Sequence, residues 1–555
     1  MELLEDARRL KLAGRMSEAE LTCRQLVVTN PLDPDIWQFL GEVAFQNGDD
    51  VSAIRYFGQA VTLQPNHAAA QNGLGLAFLR QRRWYEAIAS FQLALSADSS
   101  FAEAHRNLGD AYYDLRRLDD AAACYRRTLE LRPDLAAAHY NLGAALKDQG
   151  KLDEAAVCFD RALELNPALV EARFNLGYVR QCQGKFEEAI ACNYQVLAQR
   201  PSFIEAYLNL GNVFLEQQKL DEAATSFRRA VELNPNSGDA HCQQSLVMLL
   251  KGDFQQGWRE YEWRWKTADL RPRHYDRPEW IDQDLRGKRI LLHAEQGLGD
   301  AIHFVRYASL VKSLGAVVFL ECHKPLLKLF SCLRDIDRLV GHRDEPPEYD
   351  FHAPLLSLPA RFNTTLDTVP ARIPYLFADP QLVANWREAL RNVPGFRIGI
   401  NWRGGMGRLA KHQRNLPLGG FAKIAKLPGV TLVNLQRGAK QELAAASGDL
   451  PIVDLGEHVD QENGAFMDTA AIMQNLDLVI TSDTSVAHLA GALGVSVWTA
   501  LRFAADWRWL LDRGDSPWYP TMRLFRQKTP GEWNGVFEDI CSALEERLAT
   551  DQKSG

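Results

Sequence analysis

Residues 107–143 read NLGDAYYDLRRLDDAAACYRRTLELRPDLAAAHYNLG and begin and end on the same three letters. Asn107-Leu108-Gly109 returns as Asn141-Leu142-Gly143, and the register persists in both directions. Leucine-glycine pairs stand at Leu40-Gly41, Leu74-Gly75, Leu108-Gly109, Leu142-Gly143, Leu176-Gly177 and Leu210-Gly211. Alanine keeps the frame at Ala19, Ala53, Ala87, Ala121, Ala155, Ala189 and Ala223. Proline closes most units, at Pro31, Pro65, Pro133, Pro167, Pro201 and Pro235, with Ser99 in its place once. The small residues mark where two helix backbones approach closely. The aromatics Phe57, Phe91, Tyr125, Phe159 and Phe227 fill the space between neighbouring units. Proline stops the second helix because it has no N–H and clashes with the preceding turn. No unit can bury its own apolar face, so the units must stack into a superhelix with a long concave groove.

A period of about 34 residues with these small and aromatic positions is the tetratricopeptide pattern, two antiparallel helices per unit. Such grooves hold extended peptides or proteins; the plainer reading is a scaffold without a specific ligand. Asn107, Asn141, Asn175 and Asn209 precede the leucine-glycine pair in four successive units. A carboxamide offers both a donor and an acceptor, so a ladder of them can bind an extended backbone without reading its sequence. The array resembles that of the protein O-GlcNAc transferases, where an asparagine ladder at this position plays that part. Phe39 and Gly73 occupy the position in earlier units, which confines the ladder to the middle of the groove.

A chain of 555 residues should hold two or three domains. Its apolar content of 46% and charged content of 24% are ordinary for a globular protein. A net charge of −8 argues against nucleic acid as a partner, since such proteins carry a basic face. No apolar run approaches the length of a membrane span. The opening MELLEDARRLKLAGRMSEAE lacks the apolar core of a signal peptide and reads as a partial first repeat. The nine cysteines include no C-x-x-C pair, and Cys124, Cys158 and Cys192 keep the spacing of the repeat. A disulfide or zinc framework is therefore not expected, which suits a reducing cytoplasmic setting. Oligomeric state is open.

The repeats degenerate at their end. Gly257 falls in the alanine frame and Tyr261 in the aromatic frame, but Phe254, Trp258, Tyr261, Trp263 and Trp265 then crowd together. A terminal repeat exposes a face that something must cover, and this cluster is suited to join the solenoid to the C-terminal half of the chain; an aromatic ligand patch is the other reading. Residues 1–265 are thus assigned to an all-α superhelix of about seven repeats plus a degenerate capping unit, and 266–288 to a linker. From Arg289 strands alternate with helices: RILLHA, AVVFLEC, short strands near Arg338 and Tyr349, a helix over Pro380 to Asn392, then FRIGINW, VTLVNL, PIVDL and DLVITS. This alternation implies parallel sheets with covered faces. Two Rossmann-like α/β lobes, 289–392 and 393–555, are expected, with ligands at the carboxyl ends of the strands.

Two loops sit at such ends. In Gln296-Gly297-Leu298-Gly299-Asp300 the glycines permit a tight turn and close ligand approach, and Asp300 lies where a helix begins. Helix capping alone would also explain that aspartate. Thr481-Ser482-Asp483-Thr484-Ser485-Val486-Ala487-His488 comes directly after the strand DLVI, and free N–H groups at a helix start suit a diphosphate. Here too the plainer reading is a capped helix, with His488 an interior imidazole. The loop WRGGMGRLAKHQRN, carrying Arg403, Arg408, Lys411 and Arg414, leaves FRIGINW at its carboxyl end and reads as a phosphate clamp or a solvated basic loop.

The two lobes together resemble the heptosyltransferase-like glycosyltransferases (family 9), of the GT-B fold. That family has a Gly-Asp turn after its first strand and D-T-G-x-x-H-x-x-x-A-L-G after a late strand. This chain has Gly299-Asp300, and Asp483-Thr484-Ser485-Val486-Ala487-His488 running on to Ala492-Leu493-Gly494. The likeness covers about 289 to 530. It implies an acceptor-side first lobe with Asp300 as catalytic base, and a donor-side second lobe whose Thr484, Ser485 and Val486 amides hold a nucleotide-sugar diphosphate. Asp483 and His488 would face the transferred sugar, and transfer would be inverting. Ser485 replaces the family's glycine, Arg414 its lysine, and Gln436-Arg437-Gly438 its Gly-Gly. Gly297, Gly299, Arg403, Lys411, Arg414 and Gln436 complete the expected donor site, and His303, one turn beyond Asp300, is a back-up base.

Cationic side chains would do the work of a metal, and no cofactor would be held permanently. The joint expectation is a metal-independent glycosyltransferase acting on Ser or Thr hydroxyls of a polypeptide captured by the groove, a layout shared with bacterial protein glycosyltransferases. The alternatives are transfer to lipopolysaccharide or another glycan with the repeats used for assembly, and an interaction scaffold with an inactive transferase domain.

Overall fold

The computed structural model describes residues 2–268, 270, 273–404, 414–446 and 450–554. The chain forms two compact units, Met1–Asn209 and Leu210–Gly555.

The first unit is a run of antiparallel helix pairs, of which Ala102–Asp114 with Leu118–Leu131 and Ala136–Asp148 with Leu152–Leu165 are typical. Tight turns join the partners, and Arg116, Gly150 and Gly184 supply left-handed backbone there. The repeat glycines sit beneath aromatic rings. A Cβ placed on Gly75 would lie 2.5 Å from Phe91, one on Gly109 2.6 Å from Tyr125, and one on Gly143 2.8 Å from Phe159. The sequence breaks this rule once, and the structure shows the consequence. Asn193 occupies the aromatic frame, fully buried, with its Nδ2 3.0 Å from where a Gly177 Cβ would stand.

The helical repeats run on into the second unit as Leu220–Leu233, Gly238–Leu250 and Phe254–Tyr261. The all-helical stretch thus ends at Lys266, while the first compact unit ends at Asn209, and the aromatic cluster packs the last repeats against the α/β residues. Phe254 and Trp258 are buried among α/β residues: Phe254 stacks on Trp518 at 6.0 Å, and Trp258 meets Trp507 edge-on at 5.0 Å and Phe304 at 6.2 Å. Trp263 instead stacks on His241 at 3.8 Å.

The α/β part contains ten strands among the described residues: β1 Arg289–His293, β2 Val317–Cys322, β3 Arg338–Gly341, β4 Phe351–Pro354, β5 Phe396–Asn401, β6 Val430–Asn434, β7 Ile452–Val453, β8 Leu478–Ser482, β9 Val497–Leu501 and β10 Met522–Arg526. They form two wholly parallel sheets, ordered β3-β2-β1-β4 and β10-β9-β8-β5-β6-β7. Each central strand is a short apolar run covered on both faces, as parallel sheets require. β1 pairs with β2 from Arg289↔Val317 to His293↔Glu321, and β8 with β9 from Val479↔Val497 to Ser482↔Ala500. β9 and β10 exceed the strands read from the sequence. VWTAL is buried along its whole length and so lacks the alternation that marks a strand. The apolar stretch KPLLKLFSCL forms a 3₁₀ turn, Lys324–Leu326, with Pro325 in it, and then a single helical turn, Leu327–Phe330.

Phe91→Ala should lower the stability of the first unit by about 3–5 kcal/mol. In hydrogen exchange the helices Ala68–Arg80 and Trp84–Ala97 should lose protection before distant repeats do, because each unit leans only on its neighbours. Unchanged protection there would contradict the packing described.

Candidate functional site

A cavity of about 790 Å³ opens within the second unit, where the carboxyl ends of β1, β5 and β8 meet. Its walls come from Leu298, Gly299 and Asp300 after β1, Asn401 at the end of β5 with Arg403 and Gly404 after it, and Asp483 to Val486 with His488 after β8. Leu246 and Tyr261, from the last helical repeats, also line it.

Asp300 is the third residue of the helix Leu298–Phe304. Its Oδ2 accepts the Gly297 N–H at 3.0 Å, and its Oδ1 accepts Arg508 Nη2 at 2.5 Å. Each carboxylate oxygen keeps a further lone pair for a hydroxyl. Gly297 therefore caps the helix and does not line the cavity, contrary to its expected ligand role; Gly299 does. A Cβ on Gly299 would stand 3.3 Å from His488 Cδ2 and 3.5 Å from Ser485 Cα, so the absence of a side chain lets the β1 loop touch the start of the β8 helix.

That helix, Ser485–Ala492, begins uncapped. Thr484 is the N-cap residue, but its hydroxyl lies 3.2 Å from Asn401 Oδ1 and does not bond the helix. Among the described residues the Ser485 and Val486 N–H groups meet no protein acceptor, while both residues face the cavity. Unpaired N–H groups and the helix dipole make such a start receptive to an anion.

Four charged residues surround this point. Arg508 Nη1 reaches Asp506 at 2.9 Å, and Arg414 Nη1 stands 3.5 Å from Asp483. Burial lifts the Asp483 carboxyl above the usual carboxylate range, with Asp506 adding to the rise and Arg414 and Arg508 offsetting part of it. Asp506 feels the same burial, but Arg508 and Arg414 hold it below its ordinary value. Two adjacent carboxylates thus titrate apart, as like charges sharing a site must. Arg508 and Asp506 had no motif to announce them. Their only sequence signal is DWRW, a charged pair between tryptophans after a strand.

Arg403 lines the cavity, but its Nε pairs with Glu442 at 2.9 Å and its Nη2 donates to Gly438 O. Gln436 is buried, and its Oε1 accepts from Asn401 Nδ2 and the Arg403 N–H, both at 2.9 Å, which ties β5 to the β6 loop. Lys411 and Arg408 lie outside the described residues. His303 does not reach the cavity. It is fully buried, with Nδ1 2.9 Å from Tyr519 Oη, because the helix turns it away from Asp300 into the aromatic core. The expectation of a back-up base there is corrected accordingly.

The asparagines of the first unit are engaged within it. Asn107, 1% exposed, donates to Asn72 Oδ1 at 2.9 Å and accepts from Arg106. Asn209, 5% exposed, donates to Asn193 Oδ1 at 3.3 Å, a partner present only because asparagine replaces the aromatic there. Asn141 donates to Asp110 at 2.8 Å, and Asn175 Oδ1 accepts Lys147 Nζ at 2.9 Å. Asn141 and Asn175 remain half-buried and the other two are enclosed, so the four do not form an evenly exposed row.

Family models described as tetratricopeptide repeats match residues 34–67, 51–102, 109–150 with 182–218, 136–169 with 204–237, and 158–191. The N-terminal part of the chain is an array of such repeats. Protein FlbA of Caulobacter vibrioides is 28% identical over 336 residues, which cover 55% of each protein. The chain therefore spans about half the length of the curated relative it matches. Among solved structures, YrrB, described as a TPR protein with an unusual peptide-binding site, is 24% identical over 33% of this chain and 95% of its own, with a TM-score of 0.31. PilF of Pseudomonas aeruginosa is 20% identical over 37% of this chain and 94% of its own, with a TM-score of 0.34. No helix among the described residues is long and apolar enough to cross a membrane.

The buried charges can be tested through stability. Arg508→Leu leaves Asp300 and Asp506 without their shared cation and should cost about 3–5 kcal/mol; an unchanged denaturation midpoint would contradict the pairing. His293, His303 and His488 are held neutral far below the ordinary imidazole range, burial being the largest cause for each. Below about pH 6.5 the unfolded chain binds protons that the folded chain refuses, so stability falls as pH falls, by up to about 1.4 kcal/mol per pH unit per histidine. The urea midpoint by tryptophan fluorescence should be lower at pH 5.5 than at pH 7.5, and equal midpoints would contradict the burial.

Proposed function

We propose that the chain is a GT-B glycosyltransferase that moves a sugar from a nucleoside-diphosphate donor to a Ser or Thr hydroxyl of a polypeptide bound by the repeats. One observation carries this reading: an uncapped helix start and a carboxylate with free lone pairs face the same cavity from different lobes.

The acceptor hydroxyl gives its proton to Asp300 as its oxygen attacks the anomeric carbon of the sugar. The bond from that carbon to the donor phosphate oxygen breaks, and its electron pair leaves with the nucleoside diphosphate. The growing charge is met by the Ser485 and Val486 amides and by Arg414, donors already in place before reaction. Arg508 holds Asp300 against the helix start in the geometry that proton transfer needs. Leu246 and Tyr261, from the helical repeats inside the second unit, line the cavity, so helical-repeat residues form part of its wall. Tetratricopeptide arrays bind peptide segments of partner proteins, which supports a polypeptide acceptor over a glycan.

A second reading, a peptide-binding scaffold with a silent pocket, is favoured by the ion pair that engages Asp300. The two separate in one experiment. Asp300→Asn should lower sugar transfer by about 10²–10⁴-fold in a nucleotide-sugar panel read by acceptor mass. Removal of residues 1–209 should abolish transfer to protein while sparing donor hydrolysis. Transfer that survives Asp300→Asn would remove Asp300 from its role, and a complete absence of turnover with every donor would favour the scaffold.

A further inference from the structure

Tyr519 is fully buried, and its hydroxyl lies 2.9 Å from His303 Nδ1 and 3.0 Å from His488 Nδ1. The hydroxyl owns one proton. It can donate to one imidazole only, and the other must donate its own N–H to the phenolic oxygen. The two rings therefore hold opposite tautomers. Tyr375 does not compete for the proton at short range. Its hydroxyl is 3.5 Å away, donates to Ile302 O at 3.0 Å and accepts from Arg306 Nη2 at 2.9 Å.

The direction of the chain is set at its buried end. The His303 ring packs against Phe304 and Trp518, each with centroids 4.5 Å away, and its Nε2 meets no hydrogen-bond partner. A buried N–H without an acceptor is rarer than a buried lone pair without a donor. Nε2 is thus the bare nitrogen, and His303 carries its proton on Nδ1, donated to Tyr519. Tyr519 then donates to His488 Nδ1, which leaves the His488 proton on Nε2. His488 lines the cavity, and its Cδ2 edge, next to Nε2, is the edge beside Gly299. Trp509 stacks on its face at 5.4 Å and fixes the plane of the ring.

We propose that the His303–Tyr519–His488 chain locks His488 as a neutral Nε2–H donor to the cavity, where it hydrogen-bonds a phosphate oxygen of the leaving diphosphate. His303 and Tyr519 are positioning residues that act through His488. The ligand half of this proposal rests on the transferase reading; the tautomer half does not.

The test is nitrogen NMR on the full-length chain labelled with ¹⁵N-histidine, the His488 signals being identified by their loss in His488→Gln. The expected result is a protonated Nε2 and a bare Nδ1 for His488, and the reverse for His303. A His488 ring protonated on Nδ1 overturns the proposal, and His488→Asn supplies the same assignment should His488→Gln fail to fold. In Tyr519→Phe the His488 signals should move toward a mixture of tautomers; an unmoved pattern removes Tyr519 from the relay. In donor hydrolysis His488→Gln, which keeps an N–H near the Nε2 position, should retain more kcat than His488→Asn, by about tenfold or more. Equal losses with the expected tautomer would overturn the ligand half alone, and absence of hydrolysis in the wild type would count against the transferase reading while leaving the tautomer result standing.

Discussion

Everything at the cavity depends on one buried guanidinium. Arg508 reaches Asp300 at 2.5 Å with one nitrogen and Asp506 at 2.9 Å with another, and so joins the first helix start of one lobe to the carboxyl-end loop of the other. Three carboxylates crowd this wall, and Arg508, with Arg414 beside Asp483, balances their charge. The chain bends sharply to deliver it. The 3₁₀ turn Trp507–Trp509 leads into Leu510 in left-handed backbone, with φ of 52°. A non-glycine residue held there marks a position fixed by its surroundings.

The same segment ties the cavity to the repeats. Trp507 packs edge-on against Trp258, so the residues flanking Arg508 are held on one side by the last helical hairpin. The aromatic cluster is thus more than a cover for the end of a solenoid. It sets the floor beneath the charged pair and places Leu246 and Tyr261 in the cavity wall.

The repeat array was legible because its signal is periodic and local. Leucine, glycine and alanine recur at fixed spacing, and each occurrence confirms the last. The parallel sheets were legible where strands end in glycine-rich or hydroxyl-rich loops, as β1 and β8 do. β9 escaped because a strand buried on both faces has no alternation. His303 was misplaced because helical spacing from Asp300 says nothing about which way the next turn faces. Arg508 and Asp506 were invisible because long-range ion pairs leave no pattern along the chain. The asparagines form a row in the sequence, but their partners depend on neighbours such as Asn72 and Asn193 that the repeat does not specify.

The most direct measurement is titration calorimetry of the full chain with a set of nucleoside diphosphates, repeated on Ser485→Pro. Proline is suited to the first position of a helix and removes the N–H that the site would use, together with the serine hydroxyl. Thr484 before it is already extended, as a residue preceding proline must be. At least one nucleoside diphosphate should bind the wild type, and the variant should bind it at least tenfold more weakly, a difference of about 1.4 kcal/mol. Equal affinity in the two proteins, or no binding of any nucleoside diphosphate to the wild type, would contradict a diphosphate site at the start of this helix.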